Sequence, residues 1–172
     1  MAKIKTLHDA FVHQLKDIYY AENQLSKALP KAAAKASDPQ LRMALEQHQQ
    51  ETEQQIQMLE QVFQSIGERA EGVRCKGIEG IISEAEEHMG EAEQPALDAI
   101  IVAAAQAQEH YEITRYGTLI AWAQEMGHGE AERIFGQILE QEKAADQKLS
   151  RIAEAQVNQR ADQMGKSGVA AQ

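Results

Sequence analysis

The chain has 172 residues, 43% of them hydrophobic and 26% charged, and a net charge of −10. That length fits one domain with a real apolar core. So acidic a surface repels nucleic-acid phosphates and anionic membranes alike, which excludes both as main partners and suits metal cations without requiring them. Cys75 is the one cysteine, so no internal disulfide can form, and it reads as a tolerated loop thiol. The segment Met1 to Leu7 has two lysines but no apolar h-region, and no stretch approaches a membrane span, so a cytoplasmic location is expected.

Three prolines among many Ala, Gln, Glu and Leu favour helix almost everywhere. The first helix is expected from about Thr6 to Ala36, because Leu7, Phe11, Leu15, Ile18, Leu25 and Leu29 recur at steps of three and four. Pro30 is placed to bend its last turns. Asp38 then caps a second helix that runs from about Pro39 to Ile66, and Gly67 closes it. From Glu68 to Gln94 the glycines and Cys75 mark a long crossover, with one short amphipathic helix near Ile78 to His88. A third helix runs from Pro95 to about Met126 and a fourth from about Gly129 to Ala155, with only Gly127-His128-Gly129 between them. The bundle is thus expected over residues 1–155, followed by a frayed tail over 156–172.

Short link, long crossover, short link is the connectivity of two antiparallel helical hairpins joined once. The fold class is therefore all-α, a ferritin-like four-helix bundle with a short fifth helix in the crossover. Ala96 to Ala107 is apolar nearly all round, so it needs cover from the crossover helix or a second subunit.

The informative residues interrupt the apolar stripes. The first helix reads Leu15, Ile18, Glu22, Leu25; the third Ile101, Ala105, Gln108, Glu112, Tyr116; the fourth Phe135, Ile138, Glu142, Ala145. The second is less tidy, with Leu45, His48, Glu51 or Thr52, Gln55 and Leu59. Each helix can thus point one carboxylate inward. Glu22 and Glu51 lie about fifteen and fourteen residues from the first turn, and Glu112 and Glu142 about sixteen and fourteen from the second. At 1.5 Å per residue each pair agrees in level to roughly 3 Å.

Unpaired carboxylates in an apolar interior are costly, and two divalent cations such as Fe or Mn would remove the penalty. Solvated glutamates paired with Lys16, Arg115 or Lys143 are the plainer alternative. Glu109, three residues before Glu112, adds a further candidate ligand. His48, Gln55 and Asp146 sit at helical spacings from Glu51 and Glu142, as additional ligands or supporting groups. Tyr19 and Tyr116 share the seam and can hydrogen-bond a ligand or simply pack.

The segments Tyr19–Leu25, His48–Thr52, Glu109–Ile113 with Tyr116–Leu119, and Leu139–Lys143 resemble the YciE/YciF family of bacterial stress-associated, ferritin-like proteins. The resemblance covers about residues 3 to 155. It implies a five-helix monomer, a homodimer and a rubrerythrin-like metal site, with Glu22, Glu51, Glu109, Glu112 and Glu142 on the carboxylate positions. One departure stands out. Glu-x-x-His, which gives each metal an imidazole in related di-iron bundles, is missing: Gln54 follows Glu51 at that spacing and Ala145 follows Glu142. The function expected is a dinuclear metal protein of the stress response acting on O2 or peroxide. The alternative is a non-enzymatic dimeric interaction module.

Overall fold

The computed structural model describes residues 3–169, with side chains to residue 163. Helix α1 spans Leu7–Lys35, α2 Pro39–Ser65, α3 Lys76–Glu91, α4 Ala96–Met126 and α5 Gly129–Ile152. A π-helical stretch, Ala153–Val157, then leads into α6, Asn158–Val169. No strand occurs among the described residues.

Local chemistry explains the boundaries. Thr6 and Asp9 form a reciprocal capping box at the start of α1. Asp38 accepts from the backbone N–H groups of Gln40 and Leu41 ahead of Pro39. Gly67 and Gly127 follow α2 and α4 with φ of 72°, a left-handed conformation that glycine adopts without penalty. Helix α1 continues through Pro30 to Lys35.

Helices α1 with α2, and α4 with α5, form two antiparallel hairpins, and α2 packs on α5 while α1 packs on α4. The interior holds two apolar clusters. One is built around Phe11, Leu15, Leu59, Phe63, Leu119 and Phe135, and the other around Leu29, Leu41, Leu45, Ile101, Leu149 and Ile152. Helix α3 supplies Ala85 and Met89 beside Ile101 and Ala105, which covers the apolar start of α4. The crossover is pinned by Cys75, whose Sγ lies 2.8 Å from the Tyr111 hydroxyl and caps Ile78 N–H at 3.5 Å. Tyr111 also donates to Asp17 at 3.0 Å, and Arg115 lies 4.8 Å above its ring. Burial pushes the Cys75 thiol up, so it stays protonated and structural.

Past Gln156, where a frayed tail is expected, the helical path continues to Val169, and residues 170–172 lie outside the described part. Val157 is buried with Leu149 and Ile152, and Arg160 Nη1 lies 2.8 Å from Asp38 Oδ2. This apolar contact and this ion pair help to hold a segment whose Gln- and Ala-rich composition favours helix.

Asp98 fixes one corner of the bundle. Buried in the first turn of α4, it accepts from Ser37 N–H at 2.8 Å, Ser37 Oγ at 2.6 Å, Asp38 N–H at 3.0 Å and Gln94 Nε2 at 2.9 Å. These bonds hold its carboxyl below the usual range against the opposing effect of burial. The α1–α2 turn is thereby locked to the start of the second hairpin. Asp98→Ala strands the Ser37 and Asp38 N–H groups, and the expected loss is about 3 kcal/mol in urea unfolding.

Candidate metal centre

The polar layer lies between the two apolar clusters, and its level follows from the corner just described. Glu112 is about fourteen residues along α4 from Asp98, and Glu22 about fifteen before Ser37, so both lie about 20 Å from that corner. Antiparallel packing therefore brings the two hairpins' carboxylates to one height.

Helix α1 contributes Glu22, α4 Glu109 and Glu112, and α5 Glu142; all four are buried, at 1% exposure or less. Helix α2 contributes no carboxylate to the interior. It buries His48, Thr52 and Gln55, while Glu51, 100° round the helix from Thr52, sits at the rim with a side chain 27% exposed. Ligand atoms of His48, Glu109, Glu112 and Glu142 all lie within 4.8 Å of one another.

Neighbouring donors hold the cluster in place. His48 Nε2 is 3.0 Å from Glu109 Oε1 and 3.8 Å from Glu142 Oε2, and its Nδ1 is 3.7 Å from Glu51 Oε2. Thr52 bonds back to the His48 carbonyl at 2.9 Å. Gln55 donates through Nε2 to Glu142 and to Gln141. The fully buried Tyr116 hydroxyl donates to Glu22. Glu22 also faces Glu112 carboxyl to carboxyl, an approach that bonds only when one of the pair holds a proton.

Other sequence candidates lie elsewhere. Tyr19, one residue past the seam position of Ile18, donates to Glu60 at 2.9 Å and meets the Phe63 ring edge-on. Tyr116 occupies the place beside the carboxylates instead. Asp146 bonds Gln106 at 3.1 Å and lies 3.4 Å from Nε2 of the exposed His110, on the outer seam of α4 and α5. His48 supplies an imidazole outside the Glu-x-x-His pattern, because it precedes Glu51 by three residues instead of following it.

The electrostatics are those of too many negative groups for the positive charge present. Burial drives Glu22 up to about 7, partly offset by its bonds to Tyr116 and Glu112. Burial and neighbouring carboxylates push Glu112 well above the usual range, and burial does the same to Glu142 despite His48. Burial alone would lower His48, but Glu109, Glu51 and Glu142 hold it well above its ordinary value. Apart from a proton shared between the Glu22 and Glu112 carboxyls, no hydrogen-bond donor meets Oε2 of Glu22, Glu109 or Glu142, or either oxygen of Glu112, among the described residues. The donor set thus fits hard or borderline divalent cations: four carboxylates and one imidazole, with lone pairs converging on one place.

Against known families, residues 6–162 match the model described as domain of unknown function, DUF892. The chain belongs to the DUF892 family. It is 40% identical over 161 residues to Protein YciF of Escherichia coli K12, covering 92% of this chain and 97% of that one. The crystal structure of that stress protein superposes on this DUF892 chain with a TM-score of 0.86, covering 90% of this chain and 99% of the other. YcfI of Rhodopseudomonas palustris superposes at 0.85 with 51% identity, over 86% and 95% of the two chains. A Xanthomonas campestris protein at 22% identity and a TM-score of 0.74 shares the fold. No helix among the described residues is long and apolar enough to cross a membrane.

A pH dependence follows for the metal-free form. Glu22, Glu112, Glu142 and His48 all have folded pKa values above their ordinary ones. Their contribution is present at low pH and lost as pH rises through those values, which for Glu22 is about 7. In chelator, the melting temperature should fall between pH about 5 and about 8, with Glu22 accounting for on the order of 3 kcal/mol. Glu22→Gln should flatten that slope; an equal slope in the variant contradicts the assignment.

Proposed function

We propose that this chain binds two divalent ions of the Fe or Mn class in the cluster of Glu22, His48, Glu109, Glu112 and Glu142, and acts through them on a small oxidant in a stress response. The observation carrying this reading is the set of buried carboxylate oxygens that no donor meets. Charge supports it. Four carboxylates with a neutral imidazole sum to −4, which two divalent cations cancel. The stress association comes from the description of YciF; a homodimer comes with the family resemblance, and a cytoplasmic location with the sequence reading.

Two ferrous ions held by these residues would supply the two electrons that, with two protons, reduce peroxide to water. The protein's own residues do the rest. Gln55 orients Glu142, Tyr116 orients Glu22, and His48 and Tyr116 can hold protons beside the cluster. The apolar clusters on either side exclude water and strengthen every charge interaction in between.

The same donors support a second reading, a metal-free polar core in a helical interaction module. Gln55, Tyr116 and His48 all donate into the cluster, and protons on Glu112 and Glu142 would complete it.

Elemental mass spectrometry after anaerobic loading with Fe(II) or Mn(II) separates the two. About two equivalents per chain are expected in the wild type, and loss of tight binding in Glu112→Gln. In chelator, Glu112→Gln should be about 1–3 kcal/mol more stable than the wild type, because a buried carboxyl crowded by other carboxylates is gone. No bound metal after either loading favours the interaction module.

A further inference from the structure

A cavity of about 310 Å3 opens on the α2–α5 face, and its lining includes His48, Glu51 and Glu109. Ala44, Ala144 and Ala145 line it as well, and their short side chains leave it wide. Glu22, Glu112 and Glu142 have no exposure at all. Glu51 is different: its carboxylate has water on one side and a buried imidazole on the other. Oε1 accepts from Gln47 Nε2 at 2.8 Å, and Oε2 lies 3.7 Å from His48 Nδ1. Two lysines near the opening are occupied. Lys148 donates to Gln47 Oε1 at 2.7 Å, and Lys143 to Glu140 at 2.9 Å.

We infer that the α2–α5 cavity is the route by which divalent cations reach the buried cluster, and that Glu51 takes the ion from water and passes it to His48 and Glu109. Glu51 then lies outside the final ligand set. The inference rests on the metal-centre reading above. A hydrated cation must exchange water for protein oxygen stepwise, and a rim carboxylate offers the first such oxygen. A carboxylate at the mouth of a low-dielectric opening also raises the local cation concentration and the capture rate. The imidazole behind Glu51, 3.0 Å from Glu109, is the next donor along the path inward.

The test uses Co(II), whose visible absorption changes on coordination, mixed rapidly with metal-free full-length protein. Three proteins are compared: wild type, Glu51→Gln, and Ala144→Phe at an exposed position on the cavity wall. Both variants should bind as much cobalt at equilibrium as the wild type but load about tenfold more slowly. Equal loading rates in all three overturn the route. Lower cobalt stoichiometry in Glu51→Gln overturns the hand-over role and makes Glu51 a permanent ligand. A wild type that binds no cobalt overturns the metal centre itself, a failure distinct from rapid, equal loading.

Discussion

A carboxylate at the centre of an apolar bundle must be matched by positive charge or carry a proton, and here four of them share one layer. The protein's own donors fall short of four negative charges. One imidazole, one amide and one phenol point inward, and the remaining imbalance appears as raised carboxyl affinities for protons. The layer interrupts what would otherwise be continuous apolar packing between the Phe11–Phe135 cluster and the Leu29–Leu149 cluster. Stability is thus given up to a polar layer at the place where the bundle could best have filled its core.

How much of this was legible in the chain depends on what carried each feature. Helix boundaries were readable because they rest on local chemistry: the Asp38-Pro39 cap and the glycines at 67 and 127 act within a few residues. Glu22, Glu112 and Glu142 were readable because each breaks an apolar stripe whose phase is fixed by neighbours on both sides. On α2 the stripe has no apolar residue between Leu45 and Leu59 at seam positions, so adjacent candidates 100° apart could not be separated. Three-dimensional packing chose Thr52 for the interior and left Glu51 at the rim.

The features that escaped the sequence are long-range. Asp98 reads as an ordinary first-turn acid, and its partners Ser37 and Asp38 lie 61 and 60 residues away. The helical continuation past Ile152 depends on Val157 and on Arg160 reaching back 122 residues to Asp38. Tyr116 meets the carboxylates from a seam position of α4, whereas Tyr19, one residue past the seam position of Ile18, turns to Glu60.

The corner at Ser37, Asp38 and Asp98 also acts as a ruler. A slip of one residue between the hairpins moves a buried carboxylate by about 1.5 Å, several times the ~0.2 Å tolerance that a metal–ligand bond would have. The hydrogen bonds that forbid such a slip lie about 20 Å from the cluster. The spacing within the cluster is therefore adjustable from a distance. Changes at Ser37, Gln94 or Arg160 can shift the cluster's geometry while every one of its side chains stays the same.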